Sequence, residues 1–183
     1  MPVYRVSNLP DNADKFVFDT NILIFLHGLL HRPSQEMREY TKIANAIICD
    51  NSQVLIDLIA LEEFINRYIH ESLAQKFQTA PRDFKFNKKE HRKTKEYLDV
   101  LSDLNMILHQ IWKSYNIQLI TDGYDKFDID KVTEILPTME LNDYLISLAA
   151  KKYNAYLVTH DRDIVESCPD LNILTALPDN RRH

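Results

Sequence analysis

Short apolar runs alternate with long helical patterns along this chain, and that alternation leaves few folds open to it. Phe16-Val17-Phe18 runs into Asp19, and a second apolar run, Ile22-Leu23-Ile24, begins at once and continues towards Leu30. A short bounded run reads as a buried strand and a longer continuation as a helix, so Asp19 sits where one ends and the other begins. Gln53-Val54-Leu55-Ile56-Asp57-Leu58, Ile117-Gln118-Leu119-Ile120-Thr121 and Ala155-Tyr156-Leu157-Val158 repeat the strand signal, and Asn172-Ile173-Leu174 is a weaker fifth. The first helix is expected to stop near Arg32-Pro33, because proline disfavours helix in the residue before it. Ser34 then caps a second helix reaching Ile48. Leu61, Phe64, Ile65, Tyr68, Ile69 and Leu73 keep the i, i+3, i+4 spacing of a core-facing stripe on a helix that stops before Pro81. A further long helix is expected from about Glu90 to Tyr115, with Tyr97, Leu101, Leu104, Leu108, Ile111 and Trp112 on its buried side. A short helical piece near Lys131 to Leu136 and a helix from about Met139 to Tyr153 complete the pattern.

Strands alternating with helices imply an α/β fold, a parallel sheet of four to five strands sandwiched between helices in a Rossmann-like three-layer arrangement. At 183 residues the chain is expected to be one domain, residues 1–183, with a basic helical insertion around 81–115.

Composition removes several chemistries. Two glycines leave no room for a Gly-rich phosphate loop, and there is no GxSxG elbow, P-loop or GxGxxG. Cys49 and Cys168 form no CxxC pair and no disulfide framework. Residues 1–15 are polar, unlike a secretory signal, and no apolar run is long enough to span a bilayer, so a cytoplasmic setting without membrane contact is expected. The net charge of −5 is unevenly spread. From Pro81 to Lys95 seven cations (Arg82, Lys85, Lys88, Lys89, Arg92, Lys93 and Lys95) face only Asp83 and Glu90, a window of +5 that leaves −10 for the remainder. Such asymmetry marks a nucleic-acid contact beside an acidic site, or a solvated helix start rich in lysine.

The acids supply the chemistry. Ligands bind open parallel sheets beyond the carboxyl ends of the strands. Asp19 closes the first strand, and Asp161, in Val158-Thr159-His160-Asp161-Arg162-Asp163, lies just past the fourth. Asp143, about a turn into the helix after Pro137, belongs to the same edge, as does Glu62 or Glu63 at the start of the helix after the second strand. Carboxylates gathered this closely repel unless a cation neutralises them. Hard oxygen ligands suit Mg²⁺ or Mn²⁺. Such an ion polarises a phosphodiester and generates hydroxide from water, which is nuclease chemistry. Taken singly, each acid has a simpler use as a helix cap.

Val17-Phe18-Asp19-Thr20-Asn21-Ile22-Leu23-Ile24 resembles the opening motif of the PIN-domain nucleases, a family that includes the toxin halves of bacterial toxin–antitoxin pairs. The stretch from Leu141 to Asp163, LNDYLISLAAKKYNAYLVTHDRD, resembles that family's closing block. Order, spacing and sheet placement match from Phe16 to about Leu174. The resemblance implies a Mg²⁺ or Mn²⁺ site of Asp19, Glu63, Asp143 and Asp161. Asn21 and Thr159 would orient ligands or water, and Asp163 would serve as an auxiliary acid. An acid directly before an apolar residue, as in Glu63-Phe64, favours Glu63, whereas the helical wheel puts Glu62 beside the apolar stripe. The implied activity is endoribonuclease, in a toxin or an RNA-processing enzyme. Expected partners are RNA, an antitoxin-like protein inhibitor and a second copy of the chain. Arg82, Lys85, Lys88, Lys89, Arg92 and Lys93 would grip phosphates. The long basic Pro81–Tyr115 stretch departs from the compact toxin form.

The alternative is a catalytically inactive PIN-like module that binds RNA or protein. His27 and His31 share a helix turn but have no intervening Glu and no third ligand, so zinc is set aside. A phosphoryl-aspartate mechanism needs a second Asp where Asn21 stands. Tyr97, Trp112 and Tyr115 are assigned to the core; Tyr124 and Phe127 are left as base contacts that sequence does not decide.

Overall fold

Residues two apart on a strand face the same side of a sheet, and here that period sorts the apolar residues into two cores. Phe16 and Phe18, Val54 and Ile56, Val158 and Leu174 face one side. Val17, Leu55, Leu157 and Ile173 face the other. The computed structural model describes residues 3–5, 9–10, 13–29, 34–121 and 132–178. The expected stop at Arg32-Pro33, His31, Tyr124 and Phe127 lie outside them.

All strand pairs are parallel. In chain order the strands are β1 (Val3–Arg5), β2 (Lys15–Phe18), β3 (Gln53–Asp57), β4 (Asn116–Ile120), β5 (Tyr156–Val158) and β6 (Ile173–Thr175), and across the sheet the order is β1-β6-β5-β2-β3-β4. The five expected strands are present. The short β1, which the polar N-terminal sequence does not signal, adds an edge strand beside β6.

Helices cover both faces. The first core is closed by α1 (Thr20–His27), α2 (Gln35–Cys49), α3 (Leu58–Lys76) and α5 (Lys95–Ser114). The second is closed by α7 (Leu141–Lys152) and α8 (Arg162–Ser167), with Ala60 from the start of α3. Phe16, Phe18, Phe64 and Ile111 are essentially inaccessible, and burial of each such side chain contributes about 1.5–3 kcal/mol. Among the described residues the remaining helical pieces are short: a 3-10 turn at Pro81–Asp83, α4 (Lys88–His91) and α6 (Val132–Ile135).

Local chemistry moves some boundaries. The first helix stops at His27: Gly28 closes its last turn onto the Ile24 carbonyl at 2.8 Å and then turns to extended backbone. A Cβ at Gly28 would lie 2.5 Å from that same oxygen, so glycine is required there by close approach. Apolar residues continue past this point, which is why periodicity overruns it. Ser34 caps α2 as expected, accepting from Met37 N at 3.1 Å. The helix expected from Glu90 begins at Lys95, where the Thr94 hydroxyl accepts from Tyr97 N at 3.2 Å. Trp112, expected on the buried side, is 40% exposed; Val100, Leu104 and Ile111 carry that face, with Tyr115 also buried.

Helices α3 and α5 form a hairpin. Phe77 at the end of α3 lies 5.4 Å from His91, and Phe86 stacks on Tyr97 at 5.9 Å near the start of α5. Further down, burial and the charge of Asp103 together hold the Tyr68 phenol above its usual range. The two helices therefore run antiparallel, and residues 77–94 form the tip. Among the described residues no helix is long and apolar enough to cross a membrane.

Candidate functional site at the acidic sheet edge

From β2 the chain steps to β3 and β4 on one side of the sheet, then to β5 and β6 on the other. The reversal lies between β2 and β5, and a crevice opens at such a switch point beyond the strand ends. Asp19 follows β2 and Thr159 follows β5. Their backbones are joined by Asp19 N donating to Val158 O at 3.1 Å.

Asp19 occupies the N-cap position of α1 but makes no side-chain cap bond. It is buried to 1% exposure. Its Oδ2 accepts the Thr159 hydroxyl at 2.7 Å and the Asn21 amide at 3.4 Å. Burial pushes its carboxyl up to about 6, with the Asp161 charge adding to the rise and the Thr159 hydrogen bond opposing it. Thr159, fully buried, also accepts Asp161 N at 2.9 Å. One hydroxyl thus fixes both acids. Asp161 spends Oδ1 on capping α8, accepting from Asp163 N at 2.7 Å and Ile164 N at 3.2 Å. The capping use and the site use coexist on one side chain.

Asp143 lies in the first turn of α7. Its carboxyl is raised to about 7, first by burial and then by the charges of Asp19, Asp161, Glu140 and Glu63. Charges from the starts of α1 and α8 and from α3 thus reach Asp143 on α7. Glu63 is held by the Thr20 hydroxyl at 3.0 Å. Glu62 is exposed and accepts from Asn66 on its own helix at 2.5 Å. Glu63 thus lies on the side of α3 that meets α1, and Glu62 on its exposed side. Asp163 is exposed and meets Asp161 through its backbone.

Several residues of this edge carry no signal in motif or spacing. Glu140, the N-cap residue of α7, adds its charge to Asp143. Asp57 is fully buried at the end of β3, where its Oδ1 accepts Ile59 N at 2.8 Å. Arg67, one turn beyond Glu63, donates to Asn21 Oδ1 at 3.3 Å and pairs with Glu71 at 3.8 Å. Tyr40 of α2 sits under the edge, completely buried. Its hydroxyl accepts Ala176 N at 3.0 Å and lies 2.9 Å from both the Thr159 carbonyl and His160 Nδ1. A carbonyl only accepts, so the phenol proton goes to Thr159 and His160 donates from Nδ1. Tyr40 was readable only as part of an amphipathic cover. The basic stretch lies elsewhere. Arg82, Lys85, Lys89, Arg92 and Lys93 are exposed on the hairpin tip, and Lys88 begins α4 there. From Glu63 to Lys76, thirteen residues of helix, the separation is about 20 Å.

The chain is similar over 87% of its length, and 96% of the other's, to a solved chain from the crystal structure of VapBC2 from Rickettsia felis bound to a DNA fragment from their promoter, with a TM-score of 0.51 and 18% identity. The fold is PIN-like. No protein-family model matches the sequence, and no curated protein matches it.

At this PIN-like edge the donors are carboxylates with a hydroxyl and an amide among them, a set suited in chemistry to a hard divalent cation. Among the described residues no three His, Cys, Asp or Glu side chains stand so as to hold a metal ion. The edge brings the carboxylates within mutual repulsion, and a cation would have to draw them the rest of the way.

Proposed function

We propose that the protein is a Mg²⁺- or Mn²⁺-dependent endoribonuclease. The reading is supported by Asp19 and Asp161, which one Thr159 hydroxyl fixes side by side at the switch point, with Asp143 and Glu63 from separate elements beside them. Repelling acids at a sheet edge cost a scaffold stability, and a bound cation offsets that cost. Asp19, Glu63, Asp143 and Asp161 would hold it. When bound, such a cation supplies Lewis acidity to the phosphodiester and lowers the pKa of water. Thr159 and Asn21 fix the Asp19 carboxylate, Glu63 takes the proton of the attacking water, and Asp163 assists from α8. The proposed partners are RNA, an antitoxin-like protein inhibitor and a second copy of the chain. The neighbour's membership of a VapBC2 assembly supports the protein partner.

The test is cleavage of single-stranded RNA with Mn²⁺, combined with calorimetric Mn²⁺ binding. Wild type should cut and bind; Asp19→Asn should do neither while keeping its fold by circular dichroism. Wild type that binds no Mn²⁺ and cuts no RNA would leave the inactive RNA- or protein-binding module as the better reading.

A further inference from the structure

We infer that the tip of the α3–α5 hairpin is a second RNA contact, remote from the acidic edge, that favours strands of about six nucleotides or longer. The inference rests on the nuclease reading and adds a substrate length to it.

Three observations carry it. Lys85, Lys89, Arg92 and Lys93 are exposed and form no ion pair with any described residue. Among the described residues Arg82 is paired only with its exposed neighbour Asp83, at 3.6 Å. A solvated helix start would interleave opposite charges; here seven cations meet two acids.

Second, the backbone beneath the cations is built. Phe84 is buried and stacks on Phe77 at 5.9 Å, and its carbonyl meets His70 Nε2 at 3.0 Å. His91 packs against Phe84 at 5.2 Å and Phe86 at 5.6 Å, and its Nδ1 accepts Asn87 N at 2.8 Å. Cations on a folded platform lose less freedom on meeting a polyanion than cations on a loose loop. Phe77 stays 39% exposed, leaving ring surface beside the charges on which a base can stack.

Third, the tip is far from the chemistry. It stands about 20 Å along α3 from Glu63, and the chain outside the basic window carries −10, so the excess cations are concentrated at the tip. A strand stacked at about 3.4 Å per phosphate needs about six nucleotides to reach both places. A shorter strand reaches only one.

The parent in the experiment is the wild-type protein with Ca²⁺ in place of Mn²⁺, so that RNA is held at both places without being cut; it is used alone and combined with Lys85→Gln, Lys89→Gln, Arg92→Gln and Lys93→Gln. Fluorescence anisotropy follows labelled single-stranded RNAs of about 4 and about 20 nucleotides over a salt series. The parent should bind the longer RNA at least about tenfold more tightly. The combined variant should lose that preference, and its slope of log affinity against log salt should flatten by about 3, at about 0.7 per phosphate contact. Equal melting temperatures establish that the tip has kept its fold. An unchanged slope and length preference overturns the inference, as does tip-dependent binding to phosphatidylserine vesicles without tip-dependent binding to RNA. If Mn²⁺-loaded wild type cuts RNA of both lengths equally well, only the tip contact fails. If it cuts neither and the parent binds neither, the nuclease reading fails and takes this one with it.

Discussion

Replacing Asp143 with Asn should stabilise the metal-free protein at neutral pH. Burial and four neighbouring acids raise its carboxyl from 3.8 to about 7, and no described group donates a hydrogen bond to it. A shift of about three units corresponds to about 4 kcal/mol. The side chain is half-exposed, so solvent screening brings this to about 2 kcal/mol. Its place in the first turn of α7 favours a negative charge by about 0.5 kcal/mol, which leaves a gain of about 1.5 kcal/mol for Asp143→Asn. In a chain of this length that is a rise in Tm of about 3–6 °C. The folded pKa lies above the unfolded one, so wild-type stability is fully present below about pH 4 and is lost as pH rises towards 7. The mutant's advantage should therefore grow over that window and be clearly smaller at pH 5 than at pH 8. Thermal melts by circular dichroism in EDTA at both pH values measure it. An Asp143→Asn protein that melts at or below wild type at pH 8, or gains equally at both pH values, would falsify the account of mutually repelling acids.

Mn²⁺ at about 100 times its Kd should stabilise wild type by about 2.7 kcal/mol; Glu63→Gln should lose most of that response in a melting assay and Glu62→Gln should keep it. Thr159→Val removes the hydroxyl shared by Asp19 and Asp161 and should weaken Mn²⁺ binding about 10–100-fold by calorimetry. Tyr40→Phe strands the Ala176 N–H and the Thr159 carbonyl in a buried setting and should cost about 1–3 kcal/mol in urea unfolding. Gly28→Ala drives a methyl against the Ile24 carbonyl; an equilibrium-unfolding loss of about 1–3 kcal/mol is expected, and no loss would mean that α1 ends for another reason.

The layer order and the sheet edge were legible in the order of residues. Strand runs such as Phe16-Val17-Phe18 and Ala155-Tyr156-Leu157-Val158, separated by helical stripes, are local patterns, and local patterns fix which residues face a core. Asp19, Asp143 and Asp161 were legible for the same reason, since each stands a few residues from an element end. What distant elements do to one another came only with the folded chain. That Thr20 reaches Glu63 and leaves Glu62 to solvent depends on how α1 lies against α3, a contact across 43 positions. The Tyr40 hydroxyl meets Thr159 across 119 positions, and no periodicity encodes such a pair. The basic stretch was readable as charge; its place at the hairpin tip followed only from Phe77, Phe84, Phe86 and His91 packing together. Spacing along a chain sets which face a residue takes, while the packing of elements against each other sets which faces meet.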